Sequence, residues 1–263
     1  MNQKPEHGAA TPVPDTVLES LDAHSAALLP HLPYLLQDLF ELGSSPEVIA
    51  RMLGSQRLGP GARVLDLGCG KGAVSLRLAR ELGTEVLGID GMPAFVEEAR
   101  ARAEREGLQA LCRFEAGDLR EVVERLTGFD AVLLGGTGPV FGSYAATLRG
   151  ASRPLARGGL LLIDEVFVED GEPRVEGVLS RSEMLAVLAD AGLAVVEVEV
   201  TRRDELREVD RRNEALIRKR AEELAAMRPE SAELVRSYVR SQEEAGRVVE
   251  EQVRAATWLL RKR

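Results

Sequence analysis

The residues best suited to chemistry in this chain gather around one stretch, "RVLDLGCGKGAVSLRLA" at positions 63–79. Gly68, Gly70 and Gly72 fall within five positions, between an apolar run and a helical pattern. Glycine permits backbone conformations closed to other residues and lets a ligand approach the main chain closely. A helix starting there offers unpaired N–H groups and the positive end of its dipole. Three carboxylates stand at matching places. Asp66 lies two residues before the first glycine, Asp90 ends "EVLGID", and Asp118 sits in "AGDLRE". An ionised carboxylate accepts hydrogen bonds and donates none, so these residues suit hydroxyl, amino or ammonium groups.

The elements that must position them alternate along the chain. Strands are predicted at Arg63–Leu67, Glu85–Ile89, Ala110–Glu115, Ala131–Leu134, Leu160–Ile163 and Ala194–Val200. Helical stretches lie between them, near 72–82, 94–106, 119–127, 142–156 and 181–191. Apolar strands alternating with helices predict an α/β fold: a Rossmann-like, doubly wound, mostly parallel seven-stranded sheet. In such a sheet, ligands bind outside the carboxyl ends of the strands.

The flanking segments divide further. Residues 1–14 are polar and proline-bearing and read as a disordered tail with no secretory leader. Residues 15–58 read as a helical cap, its apolar spacing broken by Pro30 and Pro33, with Ser45 and Pro46 opening a helix. The core is expected over 59–201. Residues 202–254 are dense in Arg and Glu at helical spacing, divided by Pro229, and read as a helical insertion serving as a lid or a dimer surface. "AATWLLRK" then predicts a last strand within 255–263, returning to the sheet edge beside Ala194–Val200.

Composition bounds the function. A net charge of −9 argues against a nucleic-acid partner. Cys69 and Cys112 form no CxxC pair and there are three histidines, so neither zinc nor a disulfide framework is expected. A reducing, cytoplasmic setting follows. No run of about 18 apolar residues occurs, so no membrane partner is expected.

Two ligand classes use a glycine turn after the first strand of such a sheet: dinucleotides and S-adenosylmethionine. Gly68–Ala73 also satisfies the dinucleotide pattern GxGxxG/A. Asp66 suits a ligand with a cationic amino-acid end and sits poorly beside a pyrophosphate. Asp90 suits ribose hydroxyls in either class, and Asp118 suits an adenine amino group.

Taken together, "VLDLGCGKG" (64–72), "GIDGM" (88–92), "AGDL" (116–119), "FDAVLLGG" (129–136) and "LARGGLLLIDE" (155–165) resemble the class I S-adenosylmethionine-dependent methyltransferases. Their order resembles the small-molecule (type 11) branch. The resemblance implies S-adenosylmethionine as cofactor, with Asp66, Gly68 and Gly70 holding its methionine part and Cys69 within the same loop. It places Asp90 on the ribose, Gly91 and Met92 against the adenine face, and Gly117, Asp118 and Leu119 around the adenine edge. Gly135 and Gly136 would lie under the sulfonium. Lys71 departs from the small hydroxyl residue often found at its position.

Methyl transfer from a sulfonium asks a protein chiefly to align the acceptor and exclude water. A general base is needed only where the acceptor loses a proton. Acceptor-side candidates are Thr137, Phe141, Asp164, Glu165 and Phe167, with His24, His31 and Tyr34 from the cap. Glu165 is the preferred acceptor contact. Tyr34 is expected to reach the cofactor, and His31, a further catalytic candidate, to face solvent. The expected acceptor is a small metabolite with an O, N or C atom to methylate. The alternatives are an NAD-dependent oxidoreductase and a non-catalytic adenosyl-ligand-binding protein.

Overall fold

A computed structural model describes residues 15–21 and 23–263, so the stretch 1–14 read above as a tail lies outside the described residues. Strands β1 (Arg63–Leu67), β2 (Glu85–Asp90), β3 (Cys112–Ala116), β4 (Phe129–Gly135), β5 (Leu155–Phe167), β6 (Leu193–Val200) and β7 (Arg254–Lys262) form one sheet. Its order is β3-β2-β1-β4-β5-β7-β6. The first five strands pair in parallel, and β7 runs antiparallel to both β5 and β6. The last strand therefore does not take the sheet edge but enters between β5 and β6. Its residues Ala256–Leu260 are buried on both faces. β6 exposes Val195, Val196 and Val200, so it is the strand that can afford a single partner.

Successive residues of β5 face opposite layers. Leu161 and Ile163 pack with α6 (Leu119–Val122), α7 (Tyr144–Ser152) and α8 (Arg181–Asp190). Leu160 and Leu162 pack with α3 (Pro46–Ser55), α4 (Ala73–Leu82) and α5 (Pro93–Arg105). α3 starts as its sequence dictates: Ser45 Oγ accepts the Val48 N–H at 3.4 Å and Pro46 occupies the first turn.

Ahead of α3 the cap consists of α1 (Asp15–Ser20), a 3-10 turn (Ala26–Leu28) and the short α2 (Leu32–Leu35). Pro33 opens α2 rather than ending a helix, because a proline in the first turn lacks only an N–H that would have no partner anyway. Between β6 and β7 the chain forms α9 (Arg203–Met227) and α10 (Ala232–Gln252). Their apolar face, with Ile217, Leu224, Val235 and Tyr238, buries against Leu28, Leu32, Leu35 and Leu39 of the cap and Met92 and Phe95 at the start of α5. This third core stands over the carboxyl ends of β1 and β2.

Trp258 on β7 is fully buried, edge-on to Phe167 with ring centroids 5.6 Å apart. Replacing it by alanine leaves a large cavity in the sheet core, with an expected loss of about 3–5 kcal/mol in urea unfolding. A loss below about 1 kcal/mol would contradict the central position of β7.

Candidate functional site

β1 runs straight into the glycine turn. Gly68 has φ +77° and sits so close to the β4–α7 loop that a Cβ there would lie 2.7 Å from Thr137 Cγ2. No other residue satisfies both conditions. The N–H groups of Gly68 and Cys69 donate to the Ile89 carbonyl at 2.8 and 3.0 Å, which holds the turn against β2.

Asp90, at the end of β2, completes this attachment. Its Oδ2 accepts the Gly70 N–H and its Oδ1 the Met92 N–H, both at 2.8 Å. Burial pushes the Asp90 carboxyl up, and the Met92 and Gly70 N–H groups oppose that shift. Each oxygen keeps a lone pair for a further donor.

A cavity opens above this joint, about 630 Å³ with its mouth included. Nine of the residues that the resemblance assigns to the cofactor line it: Gly68, Gly70, Asp90, Gly91, Met92, Gly117, Leu119, Gly135 and Gly136. Phe95, Thr137 and Val140 add to its walls, and Val17, Ser20, Leu21 and Leu42 of the cap close over it. The size suits a nucleoside-sized ligand. A second cavity of about 510 Å³ lies on the other side of the glycine turn, between it and residues 40–44, with Asp66, Cys69 and Gly135 in its wall. The Asp66 Oδ2 accepts from Ser75 Oγ at 2.6 Å, and burial pushes its carboxyl up to about 6. Burial also pushes the Cys69 thiol well up, which leaves it an unreactive filler.

Asp118 stands apart from these walls. It caps α6, accepting the Arg120 N–H at 2.8 Å, and its carboxylate takes the Arg120 guanidinium, which holds it below the usual range. Lys71 is fully buried. Its Nζ donates to the Leu36 carbonyl at 2.7 Å and pairs with Glu98 at 3.2 Å. A small hydroxyl residue could not span these partners, so the departure at this position binds the cap to the glycine turn.

The acceptor-side candidates separate. Thr137 lines the first cavity. Glu165 lies within β5 rather than past its end, opposite Ala256 of β7. It is not in either cavity wall. Burial pushes its carboxyl up to about 7, against hydrogen bonds from the Val166 N–H and the Tyr144 hydroxyl. Phe167 is core, and Phe141 packs against Gly150. The three cap residues turn toward the insertion. Tyr34 Oη donates to Glu223 Oε2 at 3.0 Å, His31 Nε2 lies 3.3 Å from Ser231 Oγ, and His24 Nε2 lies 2.8 Å from Ser241 Oγ. His31 thus meets Ser231, the residue just ahead of α10, rather than solvent alone, and Tyr34 meets α9 rather than a ligand cavity. Leu42 lines both cavities and Ser44 the second; no motif weighed in the sequence assigned either of them a role at the site.

Glu165 makes a prediction about pH. Its folded-state value, about 7, lies above the ordinary 4.5. Between those values the folded chain holds a proton that the unfolded chain has lost, so stability falls as pH rises from about 4.5 through 7. Urea midpoints at pH 5 and pH 8 should differ less for Glu165→Gln than for the wild type. An identical pH dependence would show that Glu165 is not the group responsible.

The comparisons with known proteins follow this geometry. Residues 58–251 match the family model described as a methyltransferase domain. A crystal structure of an S-adenosylmethionine-dependent methyltransferase from Geobacter sulfurreducens superposes with a TM-score of 0.75 at 27% identity, covering 88% of this chain and 97% of that one. One from Thiobacillus denitrificans gives 0.74 at 27%, covering 89% and 98%. Both were solved in complex with S-adenosyl-L-homocysteine. Among curated proteins, a 23S rRNA (uracil(1939)-C(5))-methyltransferase from Shewanella sp. (strain ANA-3) is 52% identical over 60 residues, 23% of this chain. The match spans only 13% of that relative's length. Since the family model matches well over half of the sequence and the sheet order and glycine turn accord with it, this chain belongs to the class I S-adenosylmethionine-dependent methyltransferase family.

Proposed function

We propose that the protein transfers a methyl group from S-adenosylmethionine to a small metabolite. The observation that carries this reading is the convergence of nine motif residues on one cavity whose floor is the Asp90 joint. The fit to the cofactor is supported by the site itself. Gly68 leaves space that a Cβ would fill, Asp90 keeps acceptor capacity for ribose hydroxyls, and Met92, Phe95 and Leu119 offer apolar surface for a purine. Bound there, S-adenosylmethionine supplies an activated methyl group on a sulfonium.

The chain's own contribution is placement. Gly135 and Gly136 keep the carboxyl end of β4 bare, so reacting atoms can approach the backbone. Val17, Leu21 and Leu42 exclude water from above. Polar ties fasten the cap to the insertion: Tyr34 to Glu223, Arg220 to Asp38 at 2.6 Å, and Gln242 to the Leu21 carbonyl at 3.2 Å. Cap and insertion together act as the lid. Of the acceptor-side candidates, Thr137 stands in the first cavity's wall and takes that role, whereas Glu165 is held within β5 beside Tyr144, outside both cavity walls.

A small acceptor is supported by the net charge of −9 and by cavities roofed by the cap. The short match to an rRNA methyltransferase carries a second reading, an RNA acceptor. Incubation with methyl-labelled cofactor and either metabolite extract or total RNA separates the two; label is expected in the metabolite fraction. Among the described residues no helix is long and apolar enough to cross a membrane.

Calorimetric titration with S-adenosylhomocysteine, with NAD in parallel, tests the cofactor. Micromolar binding of the first and none of the second is expected. Asp90→Ala should weaken binding by about 1–3 kcal/mol, from lost ribose acceptors and a loosened turn. Unchanged affinity would remove Asp90 from the site.

A further inference from the structure

On the face of the sheet that carries Leu160 and Leu162, the next position of β5 is Asp164. Its neighbours across the sheet are Gly135 on β4 and Thr257 on β7. One pleat nearer the amino ends lies the row Asp66, Leu133 and Leu162, the floor of the second cavity. Asp164 thus continues that floor toward the carboxyl edge. A side chain on Gly135, which borders both cavities, would collide with the Ser44 hydroxyl and come within 3.3 Å of Asp164 Oδ2. Asp164 is half-buried, and its Oδ2 is itself shielded from solvent. Its Oδ1 accepts from Thr257 Oγ1, while Oδ2 has no hydrogen-bond partner among the described residues. The Ser44 hydroxyl lies beside the carboxyl without an aligned bond to Oδ2.

Among the described residues no cation is seen to act on Asp66, Asp90 or Asp164, and burial pushes all three carboxyls up. Lys71, itself fully buried, is taken up by Leu36 and Glu98. A buried, half-satisfied carboxyl costs folding free energy unless something completes it. Glycine at position 135 makes room for the Ser44 hydroxyl beside Asp164 Oδ2.

We infer that Asp164 and Ser44 form an anchor for an alkylammonium group entering the second cavity, at the wall shared with the cofactor cavity. Such a group donates to Oδ2 and to the Ser44 hydroxyl and supplies the missing positive charge. Two sources share this chemistry, the α-ammonium of the cofactor's methionine end and an amine acceptor. The inference rests on the cofactor reading above, and the experiment separates the two.

Wild type and Asp164→Asn are titrated with S-adenosylhomocysteine and with 5′-methylthioadenosine, which lacks the amino-acid end. If the cofactor's ammonium is the occupant, D164N loses tenfold or more for the first ligand and less than twofold for the second. If an amine acceptor is the occupant, both affinities hold. Ethanolamine or putrescine then raises the melting temperature of the S-adenosylhomocysteine-saturated wild type but not of saturated D164N. Equal behaviour of the two proteins in every arm overturns the inference. Failure of the wild type to bind either adenosyl ligand overturns instead the cofactor reading on which it rests. Should D164N not fold, Ser44→Ala carries the same arms, with an expected loss of about threefold in the sensitive one.

Discussion

The carboxylate of Asp90 accepts one N–H from the glycine turn after β1 and another from the start of α5, and the whole binding face depends on that joint. Parallel strands bring their carboxyl ends to one edge of the sheet, but the loops leaving that edge carry backbone donors with no ladder partner. Here a single buried side chain satisfies two of them. It fixes the distance between the loops that form the floor of the first cavity and leaves acceptor capacity facing the space between. An alanine there would leave both donors unsatisfied and the turn without its anchor. The glycines serve the same constraint from the other side, since the turn can lie against Thr137 only if residue 68 has no side chain.

A second joint organises the roof. Lys71 leaves the glycine turn outside the wall of the first cavity and ends on the Leu36 carbonyl and Glu98. The cap is thereby attached to the binding loop through a buried ammonium. It is attached to α9 and α10 through Tyr34, Arg220 and the shared core of Leu32, Leu35, Ile217 and Leu224. Two segments far apart in the sequence thus make one body over the first cavity. Burying Lys71 carries a desolvation cost that depresses its affinity for a proton, offset by Glu98 and the carbonyl. Moving the cap would break the Leu36 contact, so its attachment and the conformation of the turn are coupled.

The electrostatic character of the site follows from burial rather than from net charge. Asp66, Asp90, Asp164 and Glu165 sit at the carboxyl edge of β1, β2 and β5, and desolvation raises the proton affinity of each. Surface carboxylates elsewhere, such as Asp38 and Asp118, are held low by arginines. Among the described residues no arginine stands in either cavity wall, which leaves the carboxylates there without a guanidinium partner.

Much of the fold was legible because the signals are local. The glycine spacing, the strand-ending acids and the alternation of apolar strands with helices each depend on a few adjacent residues, and these place the turn, Asp90 and the walls of the first cavity. The Ser45–Pro46 helix start is local in the same way. What the sequence could not settle depends on partners far along the chain. β7 entered the sheet interior because β5 offered a free long edge, a property of the assembled sheet rather than of "AATWLLRK". Tyr34 and His31 turned to the insertion because Glu223 and Ser231, about two hundred residues away, wait there. Asp118 met Arg120, two residues on, which the motif reading did not weigh. Short-range periodicity thus determined the elements and the motif residues that line the first cavity. Only tertiary packing decided which polar side chains remain open to a ligand, because a side chain's availability depends on what the rest of the chain brings within hydrogen-bonding reach.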